Sequence, residues 1–179
     1  MTARPRSEDH TILLSADAIQ SRVTELAAEI EAYYGAETPL LVGVLNGAVM
    51  FMADLARQLR GDVRFEFMAV SSYGDATSSS GAVKILKDLD SDIAGRHVLI
   101  VEDIVDSGTT LRYLLRMLRE RDPADVRVVS LLRKPLARAA GTNPDWVGFE
   151  IDDVFVIGYG LDVAGRHRNL PYIAALQTD

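Results

Sequence analysis

The chain's 179 residues, 48% of them hydrophobic and 25% charged, suffice for one domain with a substantial core. No apolar run reaches the roughly 18 residues that a membrane-spanning helix needs, and residues 1–9 are polar with no apolar signal core behind them, so neither insertion nor secretion is expected. The absence of cysteine excludes disulfides and thiolate metal sites and fits the reducing cytoplasm, and a net charge of −7 speaks against a nonspecific nucleic-acid partner.

Ser15 is placed to cap a helix whose apolar stripe is Ile19, Val23, Leu26 and Ile30 and which ends near Gly35. Residues 40–45 read as a short buried strand, and residues 48–59 as a helix stopped by Gly61. Asn46-Gly47 between them is a hairpin signal. However, Ala48, Phe51, Met52, Leu55 and Leu59 share one helical face, so the pair is better read as a strand-to-helix turn. Val63, Phe65, Phe67 and Ala69 alternate with their neighbours, which predicts a strand over 63–70. The small, polar residues 71–81 form a loop of unusual length, either a surface connection or a lid, and 83–86 can pair back antiparallel.

Val98, Leu99, Ile100 and Val101 then predict a strand buried on both faces, which runs straight into Glu102 and Asp103. Asp106 follows, and Ser107-Gly108-Thr109-Thr110 opens an amphipathic helix over 111–121. After a break at Pro123 come a strand over 126–132, with Lys134 and Pro135 at its carboxyl end, and a loop marked by Gly141, Pro144 and Asp145. Short strands are expected at 147–151 and 154–157. Alternating β and α elements call for an α/β fold with a parallel sheet, right-handed crossovers and flanking helices.

In such sheets ligands bind beyond the carboxyl ends of the strands, where Glu102, Asp103 and Asp106 would lie. Carboxylates suit sugar hydroxyls or a metal, whereas backbone N–H groups and hydroxyls at a helix N-terminus suit phosphate. Together they describe a phosphorylated sugar. The plainer alternative is an acidic loop in which Ser107 or Thr109 merely caps the helix. A strand passing through Gly47 into a helix makes a second anion site. Periodicity alone puts Phe155 and Val156 in the core, Lys134 reads by residue type as a solvated charge, and Trp146 as structural. Arg112, Arg116, Arg119 and Arg121 read as a solvated basic face, and His10, His97 and His167 match no metal-ligand spacing.

The string from Val98 to Thr110 closely resembles the phosphoribosyl-diphosphate (PRPP) binding motif of the type I phosphoribosyltransferases, and other segments narrow the resemblance to the hypoxanthine-guanine phosphoribosyltransferase family over about residues 40–170. That resemblance implies a single domain over 1–179 with the parallel-sheet type I phosphoribosyltransferase fold. Its core would span about 36–150, a small hood would be built from the terminal segments (about 1–20 and 151–179), and a mobile lid at 71–82 would carry the matching pair Ser72-Tyr73. The implied reaction is Mg²⁺-dependent transfer from PRPP to hypoxanthine or guanine, by a cytoplasmic homo-oligomer (dimer or tetramer) with no nucleic-acid or membrane partner.

The resemblance also assigns roles. Glu102 and Asp103 would hold the ribose diol, and with Asp162 the metal. Asp106 would take the N7 proton of the purine as general base. Asp106, Ser107, Gly108, Thr109 and Thr110 would hold the 5′-phosphate, with Thr109 replacing a lysine of some relatives. Asn46, Gly47 and Arg168 would receive pyrophosphate behind a cis Leu45–Asn46 peptide. Asn46 also replaces a lysine, which leaves backbone amides, metal and Arg168 to hold that group, and Arg166 is the alternative to Arg168. Lys134, a pure donor, would read the 6-oxo group. Phe155 would stack on the base, the Val156 main chain would meet its Watson–Crick edge, and Ile104 would line its pocket. Two other readings stay open: a xanthine-preferring enzyme, and a PRPP-sensing nucleic-acid regulator whose only basic face is the 112–121 helix.

Overall fold

In the computed structural model, which describes residues 10–73 and 82–176, a short strand β1 (His10–Leu14) leads to Ser15. The Ser15 hydroxyl accepts the Ala18 N–H at 3.2 Å and starts α1 (Ala16–Tyr34). The predicted stripe of Ile19, Val23, Leu26 and Ile30 is its buried face, and Gly35 ends it with φ of 63°, a conformation that glycine adopts without a side-chain penalty. β2 (Leu40–Leu45) passes through Asn46-Gly47 into α2 (Val49–Gln58), so the pair is a strand-to-helix turn and no hairpin.

β3 (Arg64–Tyr73) pairs antiparallel with β4 (Ala82–Lys87). It runs three residues beyond the predicted end because Ser71, Ser72 and Tyr73 pair with Lys84, Val83 and Ala82. Ser72 and Tyr73 are therefore strand backbone where a loop was expected, and the rest of the expected lid, 74–81, lies outside the described residues.

β5 (His97–Val105) is likewise longer than the apolar run that announced it. Its ladder with β2 stops at Val101, but the ladder with β6 (Asp125–Arg133) continues through Glu102, Ile104 and Val105. Backbone pairing thus carries the acidic residues inside the strand. α3 (Thr109–Arg119) joins these two strands, and α4 (Pro135–Ala139) and β7 (Trp146–Glu150) follow. The large sheet has the order β4-β3-β2-β5-β6-β7, parallel except at the β4 edge. β1 joins β8 (Val156–Ile157) and β9 (Ile173–Leu176) in a separate antiparallel sheet of order β1-β9-β8, built from the two terminal segments.

The central strands bury both faces. Leu41, Leu99, Val101, Val129 and Leu131 pack with α1, α2 and the small sheet, whereas Val42, Val98, Ile100 and Val128 pack with Leu111, Leu114 and Leu118 of α3. Two apolar layers on one sheet hold the carboxyl ends of β2, β5 and β6 in fixed register, and this is where the functional residues gather. No helix among the described residues is long and apolar enough to cross a membrane.

Candidate active site

β5 delivers Asp106 at its end, and the chain turns through Ser107 and Gly108 into α3. Gly108 is the N-cap residue, with φ of 75°, and has no side chain with which to cap the helix. The Ser107 hydroxyl accepts the Thr109 N–H at 3.4 Å and donates to the Thr109 hydroxyl at 3.2 Å, so Ser107 supplies part of the capping considered above and Thr109 does not. A pocket of about 150 Å³ lies against this turn, lined by Glu102 and the run 104–111. Open amides at a helix start are what an anion needs.

Behind this turn lie the carboxylates. Glu102 is buried, and burial together with the neighbouring Asp103 carboxylate pushes its pKa well above the ordinary glutamate value. Burial also lifts Asp103 to about 6, against the opposing pull of the Ile104 N–H, its own N–H and the charge of Arg168. Asp103 faces the Gly47 loop so closely that a Cβ at Gly47 would lie 1.6 Å from its Oδ2. A Cβ at Gly160 would lie 2.0 Å from the Gly47 carbonyl oxygen. Both positions therefore require the absence of a side chain. The Leu45–Asn46 peptide is cis, as the resemblance implies.

Arg168 donates to the Gly160 carbonyl at 2.6 Å and pairs with Asp162 at 2.7 Å, while Arg166 is exposed in the preceding turn. Arg168 is thus held against Gly160 and Asp162, beside the Gly47 loop. Among the described residues no group of three acidic or histidine side chains stands ready-made around one point; Asp162 pairs with Arg168 and accepts the Gly165 N–H, and its charge still acts on Asp103. Glu102 and Asp103 are adjacent hard-oxygen donors, the charge of Arg168 acting on Asp103 alone.

A carboxyl whose pKa rises on folding favours the folded state in its protonated form, so this contribution is full below about pH 4 and is lost as pH climbs through 6. Asp103→Asn is therefore expected to stabilise the metal-free protein at pH 7 by about 2 kcal/mol, an advantage that shrinks toward pH 4. Thermal melts at both pH values check this, and a pH-independent difference would contradict it.

The third element is Lys134, held at the end of β6 by a hydrogen bond from its N–H to the Val105 carbonyl. Against expectation for a lysine it is buried, at 7% exposure. Its ammonium lies 3.2 Å from Asp106 Oδ2 and 3.2 Å from Asp153 Oδ1. Burial works against the charge, but Asp153 and Asp106 outweigh it and raise the pKa above the ordinary lysine value. Two residues beyond Asp153, Phe155 is 50% exposed and so is not the core residue that periodicity suggested, whereas Val156 is buried in β8. Ile104 is part-buried in the pocket wall beside Asp106.

Three residues escaped the sequence reading. Asp153 could have been noticed only as one more acidic residue before Phe155. Thr142 is buried behind Gly108, and Arg112, taken for solvated surface, bonds back onto the turn. No local pattern announces contacts across such separations.

Residues 10–164 match the phosphoribosyl transferase domain family. The chain is 51% identical to a hypoxanthine-guanine phosphoribosyltransferase of Bacillus subtilis, over 93% of this chain and 92% of the relative. It is 56% identical to one of Mycobacterium avium, over 93% and 85% respectively. Among solved structures it is similar to a hypoxanthine phosphoribosyltransferase from Staphylococcus aureus, with a TM-score of 0.90 at 40% identity over 97% of both chains.

Proposed function

The chain belongs to the hypoxanthine-guanine phosphoribosyltransferase family, and from that membership we propose that it converts hypoxanthine or guanine plus PRPP into IMP or GMP and pyrophosphate. The observation that carries this reading is the 3.2 Å pair of Asp106 and Lys134 at the mouth of the open helix turn. A proton acceptor and a donor-only cation at that spacing suit the adjacent N7 and O6 of a 6-oxopurine. Adenine would present a 6-amino donor to the Lys134 ammonium and leave buried donors unmatched.

In this reading residues 106–110 take the 5′-phosphate on amides and hydroxyls, and Glu102 and Asp103 hold the ribose hydroxyls. As the bond at C1′ breaks, the sugar gains positive charge, which the preorganised carboxylates stabilise. Asp106 accepts the N7 proton, and the half-exposed Phe155 ring offers the base a stacking face. The Gly47 amide and Arg168 receive the departing pyrophosphate. Mg²⁺ fits Glu102 and Asp103, since it prefers oxygen ligands, is commonly held by one or two carboxylates plus substrate oxygens, and would relieve their raised pKa values. Asp162 would complete its surroundings. When bound, the ion supplies charge neutralisation for the leaving group.

The same reading makes the chain one domain, with the β1-β9-β8 sheet as a hood and a cytoplasmic homo-oligomeric habit. A spectrophotometric assay with PRPP, Mg²⁺ and each of hypoxanthine, guanine, xanthine, adenine and uracil tests it. Turnover of hypoxanthine and guanine, lost on chelation, is the expected result. Preference for xanthine would move the assignment to that substrate, and turnover of no base would refute it.

A further inference from the structure

Arg112 leaves the exposed side of the first turn of α3 and folds back over the segment that precedes it. Nη1 donates to the Ser107 carbonyl at 3.3 Å and to the Thr142 hydroxyl at 2.6 Å, and Nη2 donates to the Thr109 hydroxyl at 3.2 Å. Thr142 is itself buried, and its N–H is anchored on the Ala137 carbonyl. Its side chain fills the space that a Cβ on Gly108 would need, with Oγ1 2.4 Å from that position. One threonine thus backs the glycine of the turn and orients the arginine that clasps the residues on either side of it.

Charge gives this clasp a consequence. Residues 106–110 carry no positive side chain and include the Asp106 carboxylate, and the carboxyl groups of Glu102 and Asp103 stand beside them. A phosphate entering here meets a negative field that a helix N-terminus, worth roughly half a charge, only partly offsets. Lys134 is already engaged by two carboxylates. Among the described residues Arg112 makes no ion pair, and all its hydrogen bonds go to neutral groups of the turn and its support. No carboxylate therefore neutralises its charge next to the hydroxyls of Ser107 and Thr109.

We propose that Arg112, braced by Thr142, is the positioning cation of the phosphate turn: it fixes Ser107 and Thr109 for a phosphate monoester and offsets the carboxylate field there. The inference rests on reading this turn as the 5′-phosphate subsite and adds to it a residue outside the turn. Arg112 acts through the turn, so its loss falls on phosphate-bearing ligands and spares the base.

Calorimetric titration of the unmodified chain, Arg112→Gln, Arg112→Lys and Thr142→Val with IMP and with inosine, together with KM for PRPP and for hypoxanthine, provides the test. Arg112→Gln is expected to weaken IMP and raise KM for PRPP by about tenfold to thirtyfold, the scale of a charge-assisted hydrogen bond, with inosine affinity, KM for hypoxanthine and Tm little changed. Arg112→Lys keeps the charge without the fork and should fall between, and Thr142→Val should lose a few-fold in the same direction. IMP affinity should also decline less steeply with salt in Arg112→Gln than in the unmodified chain. IMP affinity and KM for PRPP within about twofold of the unmodified chain in both arginine variants would overturn the proposal, as would equal losses for IMP and inosine. If the unmodified chain bound IMP no better than inosine, the phosphate subsite itself would fall and the inference with it, a failure visible before any variant is compared.

Discussion

Asp106→Asn is expected to lower kcat by about 10²–10⁴-fold, the usual span for a general base, with little change in PRPP affinity. The substitution keeps size and polarity but removes the ability to take a proton. Asp106 is exposed at the end of β5, within 3.2 Å of the Lys134 ammonium, so its carboxylate stands beside the group assigned to the purine 6-oxo position. The phosphate donors of residues 107–110 are untouched, because they depend on Gly108, Arg112 and Thr142 rather than on Asp106. A structural role predicts a different outcome. Were Asp106 only a helix cap, asparagine would replace it almost without loss, since both residues cap well. The start of α3 already weakens that alternative, as Gly108 occupies the N-cap and the Thr109 N–H goes to the Ser107 hydroxyl rather than to Asp106. Lys134 keeps Asp153 as a partner, so the fold should survive the change. Near-normal turnover in a variant with unchanged Tm would defeat the base assignment.

What could be read from the chain beforehand follows from how local each signal is. β5 and its acidic end were legible because a continuous apolar run ends in two adjacent carboxylates, and because the whole string from Val98 to Thr110 resembles a known binding motif. The strand's true length was not, since the ladder to β6 continues under charged residues that an apolar pattern excludes. α1 was legible from a cap, a stripe and a glycine, all within one helix. β1 and β9 went unseen because strands of five and four residues carry too little periodicity to register, and they exist by pairing with each other across the length of the chain. The site divides in the same way. Residues 102–110 and 46–47 are contiguous and could be read. The bridging of Lys134 by Asp153, the support of Gly108 by Thr142 and the engagement of Asp162 by Arg168 are tertiary facts.

Lys134→Ala is expected to raise KM for the purine base by roughly tenfold to a hundredfold, with KM for PRPP nearly unchanged, as the loss of a charged hydrogen bond of about 1.5–3 kcal/mol implies. Lys134 is buried, and its neighbours hold it in the charged form, so it can only donate. A 6-oxo oxygen satisfies that donor and a 6-amino group does not. Removing the ammonium therefore erases the penalty against adenine as well as the attraction for hypoxanthine, and the ratio of kcat/KM values for the two bases should fall by a similar factor. The variant should still fold. Asp106 and Asp153 have side chains 56% and 76% exposed, so water can take over the carboxylates that lysine leaves. With Asp106 still present to accept the N7 proton, kcat should drop far less than in Asp106→Asn. That separation of effects distinguishes a base-reading lysine from one that merely balances two acids. Equal rises in both KM values, or unchanged discrimination against adenine, would show that Lys134 does not read the 6-position.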